Sequence, residues 1–367
     1  MIVLQTTQRT GPAHPALDNP DNHQTGDSLH TSRLPRPEFL PIIPDMLRDE
    51  VGGPVVHGHA PEAPESIAEL SRAPVLSLPV RITNLIAIIL PFAGLITAIV
   101  LMWGWGFDWL HLGLFIGMYA MTGLGITIGF HRLFTHRAFE TTRPIRLLLA
   151  VLGCMAVQGP ILRWVATHRR HHQHSDEHED PHSPNMHGAG FVGLVKGMWH
   201  AHMGWMFQPD SPNLFSYVND LVKDRLVRRV SDLFPLWVVV GVAIPTVLGG
   251  LIAQSWTGAL LGFIWGGLVR IFFVHHVTWS INSVCHIWGT RPFRSHDESR
   301  NNAIFGFIGW GEGWHNNHHA FPTSARHGLR WWEFDVSYVI IRTLAALGLA
   351  WNVRVPSAES MALKMQA

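Results

Sequence analysis

Four short stretches of this chain carry side chains that could do chemistry together, and all are rich in histidine. The densest is THRRHHQHSDEHEDPHSP, Thr167 to Pro184, with His168, His171 and His172 at i, i+3 and i+4. On a helix those spacings put three imidazoles on one face, within reach of a common centre. GEGWHNNHHAFP repeats the pattern with His315, His318 and His319. GITIGFHRLFTHR holds His131 and His136 at i, i+5, which on an ideal helix leaves about 140° between side chains. Sharing a metal therefore requires the second of that pair to sit at a helix end or a distortion. WSINSVCHIWG sets Asn282 and His286 at i, i+4. Neutral imidazole is a ligand for iron, zinc and copper, so the repeated spacing predicts a metal centre. A solvated histidine-rich tract is the bland alternative, and it does not account for two copies of H-x-x-H-H.

The elements that must position these groups are apolar. Hydrophobic residues make up 47% of the 367, charged residues only 14%, and there are sixteen Trp against three Tyr. That composition describes a membrane protein, because Trp favours the interface and a soluble domain carries about 25% charge. We place four spans at about 82–103, 110–130, 233–253 and 260–279, each near the roughly 20 apolar residues a bilayer core needs. From Leu260 to Gly289 is 30 residues, about 45 Å of helix, so the fourth span must project beyond the bilayer. The second must do the same past Phe130. Ile145 to Val157 is too short to cross and reads as an interfacial or re-entrant helix.

Lys and Arg crowd the segment between the second and third spans and the part after the fourth, while the turns WGWGFDW and QSWTG carry none. By the positive-inside bias both termini and all the histidine boxes are cytoplasmic. The expected fold class is an all-α integral membrane protein, four transmembrane helices under a cytosolic helical cap formed by 131–232 and 280–355. The domain division is a Pro-rich segment 1–75 expected to be disordered, a membrane domain 76–355 and a tail 356–367. Residues 1–75 hold 11 of the 24 prolines, have no secretory-signal pattern, and carry histidines without helical spacing. Cys154 and Cys285 have no partner pattern, so neither a disulfide nor a Cys-based zinc site is expected.

In order, spacing and intervening spans, GITIGFHRLFTHR, HRRHHQHSDEHEDPH, NSVCHIWGTRPF and WHNNHHAFP resemble the membrane fatty acyl desaturases of the acyl-CoA delta-9 type, over about Ile82 to Trp332. The resemblance implies two irons held by His131, His136, His168, His171, His172, His286, His315, His318 and His319, with Asn282 holding one iron through a water. It further implies that His168 and His172 serve one iron and His171 the other. Phe115 and Tyr119 are candidates for the far end of a substrate tunnel. Asp176, Glu177, Glu179, Asp180 and the histidines His174, His178 and His182 are placed to orient ligands. His200 and His202 read as packing partners, and Arg270, His275 and His276 as structural groups in the fourth span.

Removing hydrogens from an unactivated methylene lies outside side-chain acid–base chemistry and calls for a redox metal. The implied activity is O2-dependent formation of a cis double bond in a saturated acyl chain carried as a thioester, acyl-CoA by the resemblance. No dinucleotide fingerprint follows a strand here. Electrons are therefore expected from a ferredoxin, a flavin reductase or a cytochrome b5-like donor. Membrane lipid is an expected partner and nucleic acid is not. The alternatives weighed are an acyl-lipid desaturase, a diiron membrane hydroxylase and a histidine-rich metal transporter. A transporter would place its ligands near the bilayer midplane rather than beyond the span ends.

Overall fold

The fourth helix starts where Ser255 accepts a hydrogen bond from the Gly258 N–H, and the second where Asp108 accepts one from the His111 N–H. These caps explain why both begin before the apolar stretches expected of them. The structure is a computed structural model that describes residues 76–102, 106–209, 211 and 213–365. The Pro-rich 1–75 segment lies outside the described residues.

Among the described residues, four helices are long and apolar enough to cross a membrane: Leu78–Met102, Trp109–Thr135, Phe234–Ala253 and Trp256–His286. Exposed Ile86, Ile89 and Val100 on the first, and Val239 and Leu251 on the third, are the surface a bilayer would cover. The second and fourth continue past their apolar cores to Thr135 and His286, as their lengths require. Each holds a π-helical stretch, Gly125–Thr135 and Phe263–Val269.

Small residues let the backbones approach. In the third and fourth spans a Cβ on Gly262 would fall 2.2 Å from the Pro245 carbonyl oxygen. The expected short helix forms at Arg143–Met155, with a proline in its first turn, and packs on the π-helical part of the second span. There a Cβ on Gly125 would come within 2.3 Å of the Gly153 nitrogen.

Above these lie the cap helices Ile161–His174, Gly190–His202, Arg225–Asp232, Ala303–Ile308, His315–Ala320 and Val336–Ala346. A two-residue antiparallel pair, Glu140–Thr141 with Ala350–Trp351, ties the cap's two halves together. One apolar core that includes Phe130, Phe134, Phe139, Ile161, Val165 and Val227 joins the second span to the cap. Cys154 and Cys285 are buried and unpaired. The expected tail is more than a tail. Helix Ala358–Lys364 docks on the cap, with Lys364 Nζ donating to the Ala320 carbonyl at 2.6 Å. A cation at that helix C-terminus satisfies a carbonyl that the helix leaves open.

Candidate metal centre

Four elements meet at one place: the protruding end of the second span, helix Ile161–His174, the 3-10 turn Val284–His286 and helix His315–Ala320. The i, i+5 spacing of His131 and His136 is resolved by the π-helix. The His136 N–H donates to the His131 carbonyl at 3.1 Å, which brings the two ring centroids to 4.9 Å.

The histidines fall into two groups. In His131, His136, His168, His172 and His318 one ligand nitrogen from each lies within 4.8 Å of all the others. The same holds for His171, His286, His315 and His319. These are the nine histidines singled out in the sequence, with His168 and His172 in one group and His171 in the other. His174 and His178 join neither. His182 packs on the His171 ring at 4.4 Å, and His200 pairs with His187.

The donor chemistry fits metal ions. Four of the nine histidines have Nδ1 engaged by a carboxylate: His131 by Glu312, His171 by Asp180 at 3.0 Å, His286 by Asp176 at 3.0 Å and His319 by Asp297. A carboxylate there fixes the proton on Nδ1 and leaves the Nε2 lone pair facing the centre. His171 Nε2 and His319 Nε2 are buried without any hydrogen-bond partner, as is His136 Nε2. Elsewhere Nε2 atoms face one another, 3.0 Å for His131 and His318, 2.9 Å for His172 and His318, and 3.1 Å for His286 and His315. So many lone pairs converging in a buried site would be costly without a cation between them.

Electrostatics point the same way. Burial, aided by neighbouring imidazoles, holds His136, His168, His172, His315 and His318 well below 6.5. Burial also lowers His319, to about 4, against the opposing pull of Asp297. For these six histidines neutral imidazole, the ligating form, is thus the resting form near pH 7. Burial pushes Asp176, Asp180, Asp297 and Glu312 upward, yet their histidine partners outweigh it and each carboxyl lies below its ordinary value.

Sequence reading named Asp176 and Asp180 as orienting groups but missed Asp297, Glu312 and His327. Glu312 carries a signal in hindsight, since it stands three residues before His315. Its other oxygen accepts from the fully buried Arg132 at 3.2 Å, and Arg132 also reaches Asp335 at 2.9 Å. Arg132 further donates to His327 Nδ1 at 3.1 Å, and the His327 ring lies 4.5 Å from His318. Asp297 sits in an ordinary polar run and left no such mark.

Beside the two groups runs a mostly apolar cavity of about 490 Å³, whose wall includes His131, His168, His315 and Asn282. It leads from the start of the first span, near Val80 and Asn84, between the spans to Tyr119 and Trp310. Tyr119 lines it and donates to the Ile308 carbonyl at 2.7 Å. Phe115 is not part of the wall; it stacks behind Tyr119 at 6.0 Å. Gln158 Nε2 donates to Thr278 Oγ1 at 2.8 Å, and both residues line the cavity.

Four membrane-length helices, a buried histidine centre able to hold metal ions and an adjoining apolar cavity define a helical membrane protein with a candidate metal site beside an apolar cavity. Residues 107–353 match the fatty acid desaturase family, and the chain belongs to it. It is 46% identical over 281 residues to hex-5-enoyl-[acyl-carrier protein] acetylenase of Moorena producens, covering 76% of this chain and 88% of that one. Against sn-1 stearoyl-lipid 9-desaturase of Anabaena variabilis the identity is 39% over 252 residues, 68% of this chain and 86% of the other. Acyl-CoA C20 Delta5-desaturase of Anemone leveillei is 37% identical over 256 residues, 68% and 76% respectively.

Proposed function

We propose that the protein desaturates a saturated fatty acyl chain with O2, with acyl-CoA as the donor and the bond between carbons 9 and 10 as the target. The reaction balances as one CH2–CH2 unit, O2, two electrons and two protons giving a cis CH=CH unit and two waters. The observation that supports this most is that the histidine groups form part of the wall of an apolar cavity. A chain threaded there would present a methylene pair to His131, His168 and His315 while its polar end stays near the mouth.

In this reading the nine histidines would hold two irons, and Asn282 would reach one of them through a water. When bound, the irons supply the redox chemistry that activates O2, which no side chain here can do. The protein's own part is exclusion and alignment. The buried histidines keep water from the reacting carbons, and the bridged Gln158 and Thr278 constrain the chain's path beside them. Electrons come from a separate ferredoxin, flavin reductase or cytochrome b5-like protein. In this reading the metal face and both termini lie in the cytoplasm, which the basic loops support through the positive-inside bias.

The relatives differ in carrier by their names, and the one 46% identical is named for an acyl carrier protein substrate and an alkyne product. The test is therefore expression in a desaturase-deficient host with gas chromatography of the fatty acids, beside purified protein given stearoyl-CoA, stearoyl carrier protein and stearoyl lipid. Oleoyl product from the CoA donor alone supports the proposal. A hydroxylated or acetylenic product, or activity only on another carrier, rejects it in favour of that reading. Purified protein that carries zinc and consumes no O2 on any donor removes the enzyme reading altogether.

A further inference from the structure

Arg270 is fully buried in the fourth span, and its hydrogen-bond partners are all main-chain carbonyls. It reaches Gly266 at 3.2 Å in its own helix, Gly241 of the third span at 3.0 Å and Met155 at 2.6 Å. Met155 is the last residue of the short helix Arg143–Met155. Five residues on, His275 Nε2 sits 3.1 Å from the Ala156 carbonyl and 2.9 Å from that of Val157. Two side chains of one span thus hold three consecutive carbonyls at the open C-terminus of another helix. Such carbonyls must find donors somewhere when buried. Yet a buried arginine is an expensive way to supply them, since polar capping by the local chain would do.

The turn that continues from those three carbonyls is strained. Val157 has φ +63°, a left-handed conformation that a β-branched residue rarely adopts, and Gly159 has φ +102°. Backbone of this kind persists only where surrounding contacts over-determine it. Val157, Gln158, Gly159 and Pro160 all line the cavity. Gln158 is tied to Thr278 and accepts from Trp164 Nε1 at 3.2 Å, while the Trp164 ring stacks on His168 with centroids 5.1 Å apart. The turn is therefore clamped between the fourth span and a histidine of the five-membered group.

We propose that Arg270 and His275 are positioning residues that, by fixing the 156–160 turn, set which methylene pair of a bound acyl chain faces the histidine centre. This rests on the desaturase reading. One methylene of slip moves a chain by little more than 1 Å, so a turn free to shift by that much cannot enforce a single product position.

The test compares the full-length protein with His275→Leu, His275→Gln, Arg270→Met and Arg270→Lys in lipid nanodiscs. Three quantities are read: iron per chain, amide hydrogen exchange across 156–160, and double-bond position from mass spectra of dimethyl disulfide adducts. We expect Leu and Met to retain iron, exchange faster in the turn and place roughly a tenth of the double bonds at a neighbouring position, tenfold discrimination being worth about 1.4 kcal/mol. Gln and Lys, which keep a donor, should hold the single position. Faster exchange with one unchanged positional isomer overturns the proposal, as does unchanged exchange. Iron loss in all four variants overturns it too, since the pair would then serve the fold alone. A wild-type chain that forms no alkene overturns the desaturase reading and this proposal with it. A productive wild type whose His275→Leu and Arg270→Met variants keep one isomer overturns this proposal only.

Discussion

The His136 N–H donates to the His131 carbonyl five residues back, and the Thr135 hydroxyl spans the same interval to reach Phe130 at 2.7 Å. Together they hold the π-helical register that turns H-x4-H into a pair facing one centre. Thr135→Val keeps the shape and removes the bond. We expect a loss of about 1 kcal/mol in stability and lower metal occupancy. Thermal unfolding and metal per chain, measured on one preparation, check both.

His318 and His171 belong to different groups, so each should report on a different metal. If the centre holds two irons as proposed, His318→Ala and His171→Ala should each lower bound iron from two per chain towards one and lower turnover by at least about 100-fold. Mass spectrometric metal counts on purified protein decide it. Full occupancy in either variant would remove that histidine from the ligand set.

Asp297 holds His319 through Nδ1 and also accepts from the Ser299 N–H at 3.1 Å. Asp297→Asn keeps the size but reverses the donor pattern, so His319 loses the partner that keeps Nε2 free. A drop of about 10–100-fold in metal affinity or activity is expected. The readout is chelator competition at fixed pH, and an unchanged competition curve would mean that the carboxylate only packs.

Burial, and secondarily His276, pushes His202 down to about 4 from 6.5. Its folded value lies below its unfolded one, so its contribution to stability is complete above pH 6.5 and is lost as pH falls towards 4. We expect metal-free protein in detergent to lose stability over that window, by on the order of 1 kcal/mol per pH unit from this group. His202→Gln should flatten the dependence of the melting temperature on pH. A slope equal to wild type would assign the acid sensitivity to other histidines.

Gly125 meets Gly153 where the second span crosses the short helix, with no room for a methyl group. Gly125→Ala must separate two backbones rather than two flexible side chains. Destabilisation of roughly 1–3 kcal/mol is expected. Because His131 rides on the same segment, metal occupancy should fall with it. Tm and metal content, tracked together, test the coupling.

The nine-histidine set was implied by the family resemblance, while the number of spans, the continuation of two of them past their apolar cores and the spacing within each histidine box were legible in the chain itself. Each is a local property: apolar run length, helical spacing, and residue types that need a metal to be useful. Asp176 and Asp180 were legible for the same reason, since they lie in the histidine box itself. Asp297, Glu312, His327 and Arg132 became meaningful only when distant segments met, because a carboxylate's partner is decided by tertiary contact and not by spacing. Asn282 on the cavity wall, and Phe115 one layer behind Tyr119, likewise depend on how helices rotate against each other, which glycine contacts such as Gly125 with Gly153 decide. Arg270 and His275 could be read in sequence only as polar groups in a span. Packing alone shows them holding another helix's open carbonyls, because the donors and acceptors are more than a hundred residues apart.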